Sequence, residues 1–174
     1  MPTWDDILKE IGSQPNVFDY IRRKYIKELS VKTGRNVIVY YSGWLQKSNL
    51  QQYGFRFDIV DTDKMGFMST INGLDKSIGL DLVLHTPGGS IGATESIVHY
   101  LKSIFGDNIR AIVPQIAMSA GTMIACSCQS IIMGKHSNLG PIDPQINGIP
   151  AHGIIEEFER AKKEITANQD LAGV

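Results

Sequence analysis

Apolar positions in the first fifth of the chain recur at helical spacing. Thr3 and Asp6 make a capping-box start for a helix over Trp4–Ile11. Asn16 is placed to cap a second helix, whose apolar stripe is Phe18, Ile21, Tyr25, Ile26 and Leu29 and whose stop is Gly34. The period then changes. Asn36–Ser42 (NVIVYYS) is β-branched and aromatic and predicts a strand. Trp44–Tyr53 is polar and unpatterned, a loop or short turn. Helical spacing returns over Asp61–Leu74 through Met65, Met68, Ile71 and Leu74, and the methionines read as core filler rather than as a metal or cofactor site. From Leu80 the pattern alternates. It predicts a strand (Leu80–His85), a helix capped by Ser90 (Ile91–Ile104), a strand (Ile109–Ile116), a short helix (Ser119–Cys128) and a short strand (Ser130–Met133). A Gly/Pro/Asn-rich loop over Gly134–Ile149 and a last helix from near Pro150 toward Asn168 follow. Strands alternating with helices imply βαβ crossovers and a largely parallel sheet, the α/β class.

Composition narrows the function classes. The chain has 174 residues, 43% hydrophobic and 20% charged, with net charge −1. That suits one folded domain with a real core, and it calls for neither nucleic acid nor an acidic membrane surface as partner. Arg22, Arg23, Lys24 and Lys27 read as a solvated helix face. Apolar runs such as Ala111–Val113 and Ile131–Met133 are far too short for a transmembrane segment, and the start lacks a signal-peptide pattern. Cys126 and Cys128 diverge on their helix, so no disulfide joins them, and two unpaired cysteines suit a reducing, cytoplasmic location. Ala161–Ala172 still patterns as helix and Gly173-Val174 is no natural finish, so the sequence reads as a piece of a longer chain.

Two turns carry candidate chemistry. Leu82-Val83-Leu84-His85-Thr86-Pro87-Gly88-Gly89-Ser90 places two glycines between a strand and a helix, where backbone N–H groups can face a ligand. Neither a P-loop nor a dinucleotide fingerprint is present. Ala117-Met118-Ser119-Ala120-Gly121-Thr122 places a serine at the mouth of a helix among small residues. Ser119 taken alone reads as a helix N-cap. Taken with Ala120 and Gly121 it reads as a nucleophile with room for a carbonyl and a free N–H beside it. Set side by side, the two turns make a serine and an oxyanion hole.

These residues resemble the Clp-type serine proteases, which share the ClpP/crotonase fold with the signal-peptide-peptidase-like Ser/Lys proteases. The run HTPGG, VPQIAMSAGTMIA and IIMGKHSNLGPIDPQI, roughly Leu80–Ile146, is similar above all to the serine dehydrogenase proteinase family. The resemblance implies a mostly parallel sheet built of repeated ββα units. It implies a protease domain over 36–174, whose end the helical pattern reads as cut short, while residues 1–35, an N-terminal helical arm by their pattern, carry no part of the resemblance. By the same resemblance Ser119 is the nucleophile, Gly89 and Ala120 supply the oxyanion N–H groups, and Gly88 shapes that hole.

The general base is the open position. The ClpP histidine has no counterpart in register around Leu139–Pro144. The serine dehydrogenase proteinases suggest the order Ser, Asp, His, which Ser119, Asp143 and His152 satisfy, with His152 near the base position of the Ser/Lys relatives. Against this, His152 reads as a surface histidine and Asp143 as a loop carboxylate. Lys162, Lys163, His136 and His85 are weaker base candidates, and His99 reads as helix surface.

The expectation is a serine endopeptidase acting on peptides or unfolded protein through an acyl-enzyme. It needs no cofactor and no metal. It assembles as a homo-oligomer, with any unfoldase or adaptor a separate protein. Two rivals stand: a catalytically inactive ClpP-like scaffold or interaction subunit, and a crotonase-type acyl-CoA enzyme, which would not need Ser119.

Overall fold

The computed structural model describes residues 2–12, 17–143, 145–146 and 149–167. Its α-helices and strands in order are α1 (Trp4–Gly12), α2 (Val17–Thr33), β1 (Asn36–Tyr41), α3 (Thr62–Ile71), β2 (Leu80–His85), α4 (Ile91–Phe105), β3 (Ile109–Val113), β4 (Ile116–Ala117), α5 (Ala120–Ser127), β5 (Ser130–Met133), β6 (Asn138–Leu139), β7 (Gln145–Ile146), β8 (Ile149–Pro150) and α6 (Ala151–Ala167), with 3-10 turns at Ser48–Tyr53 and Lys76–Ile78. Two compact units result, residues 1–140 and 141–174. The N-terminal helices fall in the same unit as the sheet.

The first unit is built on a four-stranded parallel sheet in the order β1-β2-β3-β5. Strands are added in chain order without reversal. Because parallel crossovers share one hand, α3, α4 and α5 all land on the same face. The even-numbered positions of β2 fill that face. Leu80, Leu82 and Leu84 are fully buried with Ala111 and Val113 of β3, against Phe67, Ile71, Ile97, Leu101 and Ile124 from the three helices. On the opposite face α2 packs along β1, and Asp81 lies fully buried between Arg35 (2.7 Å) and Arg110 (2.7 Å).

Local chemistry explains most element ends. Thr3 and Asp6 cap each other's backbone N–H groups at 2.8 and 3.2 Å, the reciprocal box expected from the sequence. Gly34 ends α2 at φ 66°, its N–H returning to Ser30 O. Ser90 Oγ accepts from the Ala93 N–H and starts α4. Asn16, the expected cap of α2, lies outside the described residues.

Four expectations are corrected. Met65 and Met68 are exposed (69% and 50%), not core, because α3 turns Phe67 and Ile71 inward instead. The strand expected over Ile109–Ile116 is two strands, because Pro114 cannot donate to the ladder. The loop over Gly134–Ile149 contains β6, which pairs with β4, as well as β7 and β8, which pair as an antiparallel ribbon. Lys24 also leaves the solvated face, reaching Glu10 of α1 at 2.6 Å.

The second unit, residues 141–174, holds that ribbon and α6.

Candidate active site

A parallel register brings the two turns together. Thr86, just past β2, bridges Ala117 of β4. Its N–H donates to Ile116 O at 3.3 Å, and its carbonyl accepts from Met118 N–H at 3.0 Å. Two residues further along each chain, Gly88 therefore falls opposite Ser119. A Cβ on Gly88 would sit 2.9 Å from Ser119 Cβ, 2.7 Å from Met118 O and 3.2 Å from Ala120 N. Glycine is required there for space and for its φ of 100°. Gly121 lets the helix close in from the other side, since a Cβ on it would run into Thr86 Cγ2. Thr122 Oγ1, 2.9 Å from both Ala117 O and Gly140 O, ties α5 to the strands on either side of it.

Ser119 itself is strained. Its φ of 49° and ψ of −113° make it the one non-glycine residue with positive φ among the described residues. Such a conformation costs on the order of 1–3 kcal/mol and persists only where its surroundings impose it. It is the kind of sharp strand-to-helix turn that lifts a serine hydroxyl clear of the backbone. Ser119 occupies the N-cap position of α5, but its hydroxyl caps nothing. The bland N-cap role is thus the one the geometry removes.

The N–H groups around it divide into used and free. Gly88 N–H donates to Thr86 Oγ1 at 3.1 Å, so Gly88 contributes space rather than a donor. Gly89 N–H and Ala120 N–H donate no hydrogen bond among the described residues. Ala120 is the first residue of α5, where the helix leaves its donors open and its dipole is positive. Gly89 is oriented from behind by Ile59, a fully buried residue that no motif singles out. Ile59 N–H donates to Gly88 O at 2.8 Å, and Ile59 O accepts from Ser90 N–H at 2.9 Å. In a trans peptide the N–H opposes the C=O, so pinning Gly88 O on Ile59 turns the Gly89 N–H away from it. The apolar alternation of Phe57 and Ile59 was the one sequence signal for this brace.

A Cβ on Gly89 would overlap Ile59 N and O. Gly89→Ala is therefore expected to displace the brace. Fluorophosphonate acylation of Ser119 should slow by about 10²-fold or more, the usual cost of losing an oxyanion donor. Timed labelling of both proteins checks this, and an unchanged rate would remove Gly89 from the site.

The candidate bases are scattered. His85 ends β2 with its ring buried, 4.8 Å from the Tyr41 ring and with Nε2 3.2 Å from Gln115 Oε1. Its Nδ1 has no partner, and it makes no hydrogen bond to Ser119. His136 is exposed beside Gly134, and His99 is exposed on α4. In the second unit, Asp143 is exposed and His152 lies in the first turn of α6, Nε2 3.2 Å from Glu156 Oε1. Lys162 and Lys163 are exposed on the same helix. Both cysteines are free, and burial pushes the Cys128 thiol up to about 11, which keeps it protonated and unreactive at neutral pH. Among the described residues no group of His, Cys, Asp or Glu is arranged to hold a metal ion, and no helix is long and apolar enough to cross a membrane.

A parallel α/β sheet with a strained serine beside free backbone donors is the layout of a ClpP-like serine proteinase. Residues 13–172 match the family described as ClpP-like SDH-type serine proteinase, and the chain belongs to that family. It is also similar to two proteins of Methanocaldococcus jannaschii. One is the uncharacterized protein MJ0137, 33% identical over 153 residues, which make up 86% of this chain and 52% of that protein. The other is the uncharacterized protein MJ1495, 32% identical over 147 residues, which make up 83% of this chain and 49% of that protein. The chain thus spans about half the length of these relatives.

Proposed function

We propose that the protein is a serine endopeptidase working through an acyl-enzyme on Ser119. The observation that carries this reading is the strained backbone of Ser119 beside two unused N–H groups. In this mechanism Ser119 Oγ attacks a peptide carbonyl, and its proton passes to a base. The carbonyl oxygen, now negative, is held by Gly89 N–H and Ala120 N–H. The base returns the proton to the leaving amine, and water then releases the acyl group by the same path. His152 is assigned as base and Asp143 as its orienting carboxylate, with Lys162 and Lys163 next. The substrate class is peptide or unfolded polypeptide, and the working form is a homo-oligomer in the cytoplasm, served by a separate unfoldase or adaptor.

A second reading has one observation in its favour. Ser119 donates no hydrogen bond to any base among the described residues, which suits an inactive scaffold. A fluorophosphonate probe with peptide mapping separates the two. Labelling at Ser119 supports the peptidase, and it should fall by roughly 10²-fold or more in His152→Gln if that residue is the base. A protein that is folded and never labels is the scaffold or the acyl-CoA enzyme instead.

A further inference from the structure

We infer that the free edge of β1 is a docking site for an extended segment of a partner protein, one that alternates apolar and acidic residues. β1 is the outermost strand of its sheet. Asn36 N–H donates to Gly79 O and Ser42 N–H to His85 O, so the even-numbered residues of this stretch turn their backbone groups toward β2. The odd-numbered residues Val37, Val39 and Tyr41 turn theirs outward, and none of the three has a backbone partner on that side among the described residues. An exposed row of alternating donors and acceptors is complemented best by another extended backbone.

The edge is flanked on both faces. On the helix-covered face is a cleft of about 250 Å³ beside β1. Tyr40 and Phe67, stacked at 5.6 Å, form its wall, and Gly66 and Thr70 of α3 leave it open. Asp63 lies there too, but it is engaged by Tyr40 Oη at 2.9 Å and by Val60 N–H at 2.9 Å. A groove of about 820 Å³ that includes Arg22, Ile26, Val37, Tyr41 and Lys47 lies toward the opposite face and reaches round the edge to Thr70 of α3. Ile38, Val39 and Thr70 border both. An added strand points successive side chains to opposite faces. Alternate residues would thus enter the small cleft, walled by the Tyr40 and Phe67 rings with Thr62, Asp63 and Thr70 at its sides, and the basic groove. Arg22 has only a loose contact with Asp19, at 3.9 Å, and Lys47 has no carboxylate partner among the described residues, so both are available to acidic side chains. These features select an occupant in which apolar residues alternate with Asp or Glu.

Gly66 supplies a selective test. A Cβ at Gly66 meets nothing within 4 Å, and the position is helical, so Gly66→Leu fills the cleft without straining the fold. The probe is a fluorescein-labelled peptide (Leu-Asp)₄, read by anisotropy, with (Leu-Lys)₄ as control. The expected result is binding of the acidic peptide only. Affinity should weaken at least tenfold in Gly66→Leu and at least tenfold in the double variant Arg22→Glu, Lys47→Glu. Hydrogen exchange should slow at Val37, Val39 and Tyr41 when the peptide is bound. Binding by neither peptide, or binding indifferent to both variants, would overturn the proposal. So would protection centred on Gly88–Gly89, which would place the peptide at Ser119. A dimer by light scattering that Gly66→Leu dissociates would assign the edge to a second copy of this chain and overturn it equally. Fluorophosphonate labelling at Ser119 is scored separately, so failure of this site and failure of the peptidase reading are distinguishable.

Discussion

Replacing Ser119 with alanine is expected to abolish acylation and to cut peptide hydrolysis by roughly 10⁴-fold or more, leaving only what the backbone donors supply. The fold should survive, because the hydroxyl makes no capping bond. Ser119→Gly should go further. Glycine adopts positive φ without the Cβ penalty, so this variant should be as inactive as Ser119→Ala yet more stable by about 1 kcal/mol. A thermal melt and an active-site titration on the same preparations read both quantities. Were the glycine variant less stable than wild type, the strain at Ser119 would have no energetic reality. Were Ser119→Ala fully active on peptides, the nucleophile would lie elsewhere.

The largest stability effect should come from Asp81. Its carboxyl is fully buried, which alone would raise its pKa. Hydrogen bonds from Arg110 (2.8 and 2.7 Å) and Arg35 (2.7 Å) outweigh this and hold it below the usual carboxylate range. Asp81→Asn removes the charge from between two guanidinium groups. The arginines retain some water, with side chains 16% and 30% exposed. The cost should therefore fall somewhat below that of a fully buried broken pair, at about 2–4 kcal/mol. The pH dependence has a definite sign. A carboxyl with a lowered folded-state pKa contributes stability above its unfolded value of about 3.9, and the contribution is lost as pH falls through the folded value. Urea unfolding at pH 7 and pH 3 should show the gap between wild type and Asp81→Asn narrowing in acid. A constant gap would mean that the aspartate charge does not hold this face together.

Much of this was legible in the chain because local rules fixed it. The Thr3–Asp6 box, the Gly34 stop, the Ser90 cap and the strand at Leu80–His85 each depend on neighbours a few residues away. The proximity of the TPGG and SAG turns was legible only through resemblance, since no local rule relates Gly88 to Ser119. Thr86–Ala117 pairing does so in the fold. The methionines of α3 misled because Met65 and Met68 share helical spacing with Ile71, yet the aromatic Phe67 competes for the same inward arc and stacks on Tyr40. Pro114 should have marked the break after β3. The brace from Ile59 left only the alternation of Phe57 and Ile59 as a trace, because it consists of main-chain bonds from an irregular stretch, which side-chain identity scarcely encodes. The backbone angles of Ser119 were hidden for a related reason. No residue type other than glycine announces a positive φ, and here the surroundings impose one on serine.

Ile59 also divides the tolerances of the long connection that precedes it. Between Ser42 and Phe57 the chain makes a mostly exposed excursion around one 3-10 turn, Ser48–Tyr53, and loop length is thermodynamically cheap to vary. Ile59, where the chain re-enters, is held on both of its main-chain groups by the glycine turn. Insertions or deletions in the body of this excursion should leave the acylation machinery intact so long as the chain re-enters at the same point. A single-residue slip at its end would misdirect the Gly89 amide and, under the proposed mechanism, silence an otherwise well-folded molecule.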